Sequence, residues 1–219
     1  MIFLIMVSAF TFYLGNFFQT GQADLQVFFL FHPWIYLLLV PALAMRLWAE
    51  ERKSGSMELL LTLPVTVWQA VLGKFLAAWT LIALALLLTF PMWLTVVWLG
   101  DPDNGVIVAS YLGSWLLAGA FLAIGSAISA ATRSQVMAFI ISLSVCIVFL
   151  LAGYPIVLSA IQAIFNQPIV DAIAGMSFFT HFSSITRGIL DMRDIAFFLI
   201  NGAAWLMATV LIINLKKAA

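Results

Sequence analysis

Apolar residues run along this chain in long blocks separated by short polar stretches. The blocks are 1–18, 27–49, 70–99, 106–131, 135–158 and 195–215. A helix needs ~20 mostly apolar residues to cross a bilayer, so the pattern predicts six transmembrane helices. The separators "QTGQADLQ", "GDPDNG" and "TRS" are polar, and the last two carry turn residues. Six spans use most of the 219 residues. The expectation is one all-α transmembrane domain over 1–219, with no soluble domain.

The third block is too long for a span alone. Its 30 residues reach ~45 Å as a helix, against a ~30 Å hydrocarbon core, so its first turns, with Lys74, should project beyond the membrane. Thr66-Val-Trp-Gln69 fits a capping box that starts this helix just after Pro64. Pro41 and Pro91 should kink the second and third spans. The fourth block carries Gly113, Ser114, Ala118, Gly119, Ala123 and Gly125, small residues whose spacing lets helices approach closely.

Between the fifth and sixth blocks lie about 36 residues, 159–194, still apolar but interrupted by Asn166, Pro168, Asp171, Gly175 and Gly188. No piece is long enough to cross. Apolar backbone at membrane depth must be helical or buried in protein. The prediction is a re-entrant hairpin of two short helices on the outer face, carrying His181, Arg187, Gly188, Asp191 and Asp194. Arg187 and Asp191, four apart, can pair on one helix face. The alternative is a seventh span through 159–180, which Lys216 and Lys217 oppose by keeping the C-terminus with the other cations.

Composition agrees with a membrane protein: 65% of residues are hydrophobic and 8% charged, against roughly 25% charged in soluble domains. Formal net charge is zero, and no basic face suggests nucleic acid. The single cysteine, Cys146, excludes an intramolecular disulfide and reads as a small buried hydrophobe. Positive charge sets orientation. With six spans, Arg46, Arg52, Lys53, Lys74, Arg133, Lys216 and Lys217 share one side, and Arg187 and Arg193 the other. This places both termini and the 50–65 stretch of a multi-pass protein in the cytoplasm. The first apolar run begins at Met1 with no basic flank or cleavage site. Either the chain starts abruptly in its first span, or an upstream segment precedes it.

The candidate chemistry is sparse. A charge at mid-bilayer costs at least ~2.5–3.5 kcal/mol, and none stands clearly at the middle of a span, which weakens an ion-coupled transporter. No phosphate-binding G-x-x-x-x-G-K-[ST] occurs, since Gly73-Lys74 is followed by Phe75. Neither H-E-x-x-H nor G-x-S-x-G is present. His32 and His181 lie toward the outer face. A metal site or Ser-His pair there competes with the simpler reading of two interfacial histidines with unrelated partners. Trp and Tyr are interfacial-belt candidates. The chain thus has no motor of its own.

The most polar stretch is "EERKSGSMELLLTLPV", residues 50–65, which holds all three glutamates, Glu50, Glu51 and Glu58. Gly55 allows a sharp turn. Ser56 can cap a short helix over 57–63, with Glu58 in its first turn. That helix presents Met57, Leu60 and Leu61 on one side. It either enters a partner's groove or packs on the protein's own helix ends.

"PALAMRLWAEERKSGSMELLLTLPVTVWQAVLGKFLAAW", 41–79, resembles the permease subunits of ABC-2 type transporters, and most closely the gliding-motility and nitrous-oxide-accessory branch. The residues that carry the resemblance are Glu50, Glu51, Arg52, Gly55, Ser56, Glu58, Leu59, Leu60, Leu61, Leu63, Pro64, Gly73 and Lys74. A second block, "HFSSITRGILDMRDIAFF", 181–198, is similar to the segment before the last span of that branch. The resemblance implies that two permeases, identical or related, pair, and that each rests on a cytoplasmic ATPase subunit. The short 57–63 helix is then the coupling helix, with Glu50, Glu51, Arg52, Gly55, Ser56, Met57, Glu58, Leu60, Leu61 and Pro64 around it. ATP and Mg bind the partner ATPase, and this chain holds no cofactor, metal or catalytic residue. The pathway lies between the two copies, lined by the first, second and fifth spans, with membrane lipid and a periplasmic or membrane accessory protein as further partners. Export by alternating access is the implied activity, and the aromatic, uncharged spans suit a hydrophobic or amphipathic cargo. Family members usually carry an amphipathic helix before the first span, which this sequence lacks. Two other classes compete: a scaffold that tethers or regulates an ATPase complex without transport, and an intramembrane enzyme using His32 or His181.

Overall fold

The structure, a computed structural model, describes residues 1–17, 24–55 and 65–217. The chain is 83% helical, with no strand among the described residues. The helices are α1 (Ile2–Ala9), continued by a π-helical turn (Phe10–Leu14), α2 (Gln26–Leu30), α3 (His32–Ala44), α4 (Arg46–Ser54), α5 (Val67–Leu87), α6 (Phe90–Leu99), α7 (Asn104–Ala131), α8 (Gln135–Leu151), α9 (Pro155–Gln162), α10 (Gln167–Gly175), α11 (Phe178–Thr186) and α12 (Met192–Lys217). Three of the described helical stretches are long and apolar enough to cross a membrane: α5 with α6, α7, and α12. A fourth counts if α8 and α9, bent by 71° between them, make one span. The predicted first span is a 13-residue helix, Ile2–Leu14, ~20 Å long at 1.5 Å per residue. The predicted second span is built of α2, α3 and α4, interrupted at Phe31 and Met45.

Local chemistry explains several helix ends. Thr66 and Gln69 form the capping box: the Thr66 N–H donates to Gln69 Oε1 at 3.0 Å and the Gln69 N–H to Thr66 Oγ1 at 3.3 Å. Asp103 caps α7 by accepting from the N–H groups of Gly105 (2.9 Å) and Val106 (3.3 Å). The third span breaks at Leu88-Thr89, with Pro91 in the first turn of α6. The fifth run ends at Leu151, not at Leu158 as expected. There the Ser177 and Thr180 side chains occupy the space a Cβ on Gly153 would need, and Pro155 starts a new helix.

The folded chain divides into two compact units: 1–35, 83–117 and 147–197 form the first, and 36–82, 118–146 and 198–219 the second. In both, α7 is the interior helix. Of its most apolar window 78% is buried, against 28% for α5–α6 and 17% for α12, so the rest of the chain leaves most of the surface of the latter two uncovered. The small residues of α7 make this possible. In the first unit a Cβ on Gly113 would stand 2.8 Å from Ile185. In the second, one on Gly119 would stand 2.7 Å from the Trp79 indole, and Gly125 lies directly against Ala44.

Candidate functional site

In the second unit, two helices lead into and out of the 56–64 segment. α4 enters it and ends at Gly55, whose φ of +74° supplies the left-handed C-cap conformation that favours glycine. α5 leaves it through the Thr66–Gln69 box. Ser56, Met57, Glu58, Leu59, Leu60, Leu61, Leu63 and Pro64 of the expected coupling helix lie outside the described residues.

The two stems are tied to each other. Lys74, on α5, donates to the Leu47 carbonyl at 2.9 Å, pairs with Glu51, and sits 4.1 Å from the centre of the Trp48 ring. Leu47, Trp48 and Glu51 all belong to α4. An exposed ion pair contributes ~0–1 kcal/mol and an exposed cation–π contact ~0.5–1 kcal/mol. No one of these contacts fixes the stems, but three on one ammonium group define its position.

The stems are also tied to α7 and α12. Trp48 is buried, and its indole N–H donates to Ser126 Oγ at 3.1 Å. Ser129, one turn on and on the same face, accepts from the N–H groups of Trp48 (3.1 Å) and Ala49 (3.0 Å) and donates to the Met45 carbonyl at 3.0 Å. Its hydroxyl thus stands between the Met45 C=O and the Ala49 N–H, which would bond each other in a continuous helix. A side chain inserted into the i→i−4 ladder interrupts a helix, and this is why α3 and α4 separate at Met45. Pro41, the expected kink, lies inside α3, and its carbonyl still accepts from the Met45 N–H at 2.9 Å. The last carbonyls of α7 have no partners within the helix. Arg52 Nη1 donates to Ala130 O at 2.9 Å, and Lys216, on α12, donates to Ala130 O and Ala131 O.

The first unit holds the expected outer residues. His181 on α11 points Nδ1 at Asp194 Oδ1 (2.6 Å) and Nε2 at the Gly175 carbonyl (2.9 Å), and Phe197 stacks on the ring at 3.9 Å. The other Asp194 oxygen is buried and has no hydrogen-bond partner among the described residues. Both ring nitrogens are engaged, so neither is placed to activate a hydroxyl. His32 is buried among the rings of Phe3, Phe28 and Phe29. The two histidines have different partners, and no metal-binding cluster occurs among the described residues. Arg187 and Asp191 do not share a helix face, contrary to expectation. α11 ends at Thr186, Gly188 turns the chain at φ +85°, and Asp191 instead caps α12 by accepting from the Arg193 N–H at 2.9 Å.

The sequence profile of the ABC-2 family transporter proteins matches residues 2–214. The chain belongs to that family. Among curated proteins none matches it. An ABC-2 chain is a transport subunit in the membrane and not itself a catalyst, and the family implies an ATPase partner. Of the expected coupling set, Glu51 pairs with Lys74, Arg52 reaches the Ala130 carbonyl at the end of α7, Gly55 ends α4, and Glu50 is exposed. Trp48, Ser126, Ser129 and Lys216 were missed. The serines lie just past Gly125, the last of the small residues that read as packing, and Trp48 reads as an interfacial aromatic. Their i, i+3 spacing on one face of α7 was the available signal.

Proposed function

We propose that this chain is the permease subunit of an ABC exporter of the gliding-motility and nitrous-oxide-accessory type. In this reading it forms one six-span transmembrane domain of a bacterial inner membrane, with both termini cytoplasmic. Residues 57–63 form a coupling helix that docks into a separate ATP-binding subunit, where ATP and Mg bind. Two permeases pair around the pathway, and 159–194 caps it from outside. The observation that carries the reading is the bracing of both stems of the 56–64 segment to each other through Lys74, and to the ends of α7 and α12 through Ser129, Arg52 and Lys216. Movement imposed on such a segment passes directly to helices long enough to span the bilayer. The positive charge around these stems supports a cytoplasmic location. An apolar groove of about 400 Å³ in the first unit, walled by Phe90, Trp93, Tyr111 and Trp115, supports a hydrophobic or amphipathic cargo.

The test replaces Leu60 and Leu61 by Asp. Buried anchors at an interface contribute ~2 kcal/mol or more each, so the double variant should insert normally yet lose co-purification with the ATPase subunit or the coupling of its hydrolysis to transport. Unchanged coupling in that variant refutes the assignment. A scaffold that only tethers the ATPase would show ATP hydrolysis insensitive to any cargo.

A further inference from the structure

The cations around the end of α7 exceed what that end needs. Arg52 and Lys216 donate to one and the same oxygen, that of Ala130, which puts a guanidinium and an ammonium side by side. Arg133, two residues past α7, is close enough that its charge acts on both of them. Burial and the charge of Arg133 push Arg52 below the ordinary guanidinium value, yet an arginine keeps its proton. Against these three positive charges the end of a helix offers about half a negative charge. No acid pairs with Arg52, Arg133 or Lys216 among the described residues, and Glu51 is engaged by Lys74. Orientation by positive charge requires cations on one side of a membrane but does not require three to converge on one helix end. Convergence of like charges costs energy unless an anion joins them.

The surroundings indicate the anion. Ala130 and Ala131 are the last residues of a 28-residue apolar helix, so their carbonyls lie where a spanning helix meets the headgroups. Exposed apolar side chains flank the cations in sequence: Leu211 and Leu215 before Lys216, and Val136 and Met137 just after Arg133. Positive charge at the end of a helix, bordered by lipid-facing apolar surface, matches a phosphate headgroup with its acyl chains. We propose that Arg52, Arg133 and Lys216 form a binding site for the phosphate of an anionic phospholipid. The bound lipid relieves their mutual repulsion and steadies the α4–α7–α12 junction.

The test uses the purified full chain in neutral detergent, its thermal unfolding followed as phosphatidylglycerol, phosphatidylcholine or inorganic phosphate is added. Phosphatidylglycerol should raise the midpoint saturably, and the effect should weaken with added salt, whereas the other two should not raise it. Each cation near an anionic membrane surface changes binding by about fivefold. Arg133→Gln and Lys216→Gln should therefore each weaken the apparent affinity by about that factor, and Arg193→Gln should leave it unchanged. Equal stabilisation by phosphatidylcholine overturns the proposal, as does reproduction of the effect by inorganic phosphate. It is also overturned if Arg133→Gln weakens co-purification with the ATPase subunit while the phosphatidylglycerol effect stays intact, since the cluster then serves an acidic protein surface. Should the Gln variants fail to fold, the lipid comparison and its salt dependence on the unchanged chain still decide.

Discussion

Replacing Ser129 by Ala removes one oxygen and three hydrogen bonds. Ser129 is fully buried, so water cannot take its place. In the unchanged protein its hydroxyl serves the Trp48 N–H, the Ala49 N–H and the Met45 C=O, all at 3.0–3.1 Å. Without it, the break at Met45 can partly heal, because the Ala49 N–H can reach back to the Met45 carbonyl as in a continuous helix. The Trp48 N–H is then left alone, and an unsatisfied buried donor costs ~1–3 kcal/mol. Interhelical hydrogen bonds within membranes average ~0.6 kcal/mol and reach about 1.7. With three bonds lost and one regained, both routes give a destabilisation of about 1–3 kcal/mol.

The comparison variant is Ser126→Ala, which frees only the Trp48 indole N–H, one side-chain donor against the three backbone groups that Ser129 serves, and should cost ~1 kcal/mol, the lower end of the same range. Denaturant unfolding of the purified chain measures both. Healing of the ladder also redirects α4 and with it the stem of the 56–64 segment. Ser129→Ala should therefore lower the coupling of ATP hydrolysis to transport more than Ile185→Val does, a buried-core change that costs ~0.5–1.5 kcal/mol. If Ser129→Ala unfolds with the unchanged chain, or costs less than Ser126→Ala, the account of the break at Met45 is wrong.

Three further outcomes follow from the same geometry. Gly119→Leu should destabilise the second unit by about 1–3 kcal/mol through overpacking against Trp79, while Gly119→Ala should cost less; equal effects on denaturant unfolding contradict the close approach. His181→Ala leaves a buried Asp194 carboxylate without its partner and should cost about 3 kcal/mol. Removing both with His181→Ala/Asp194→Ala should cost less than the single change, and a double variant that is worse than the single refutes the pairing. A cysteine at the exposed Ile189 should react with a membrane-impermeant reagent from outside and one at Lys217 should not, with the native Cys146 silent because it is buried. The reverse pattern overturns the orientation. Ile189 is chosen over Gly188 because a side chain at φ +85° is strained.

What could be read from the sequence was what neighbouring residues decide. The Thr66–Gln69 box and the polar separators before α7 and between α7 and α8 are local chemistry, and the helices begin or end there as the residues require. The small residues of α7 announced close packing and deliver it at Gly113, Gly119 and Gly125. Two of the misses share a cause: a distant residue acts on the backbone. Pro41 lies inside α3, and the interruption of the second span, which the sequence does not signal, comes four residues later, imposed by Ser129 from 84 positions away. The fifth helix stops short because residues 177 and 180 close on Gly153. Arg187 and Asp191 have the right spacing to pair, but Gly188 ends the helix that would have aligned them. The same division runs through the site. The charges and glycine of residues 50–55 mark a loop stem on local grounds, whereas its hydrogen bonds to α7 include two serines that the sequence pattern does not single out. In a membrane helix a serine pair at i, i+3 has little to gain from facing lipid. Facing a broken helix, the Ser129 hydroxyl replaces the missing ladder bonds, and Ser126 holds the Trp48 indole beside it. A fixed break, unlike a flexible one, transmits the position of α4 to α7, the property the proposed coupling role of the stem requires.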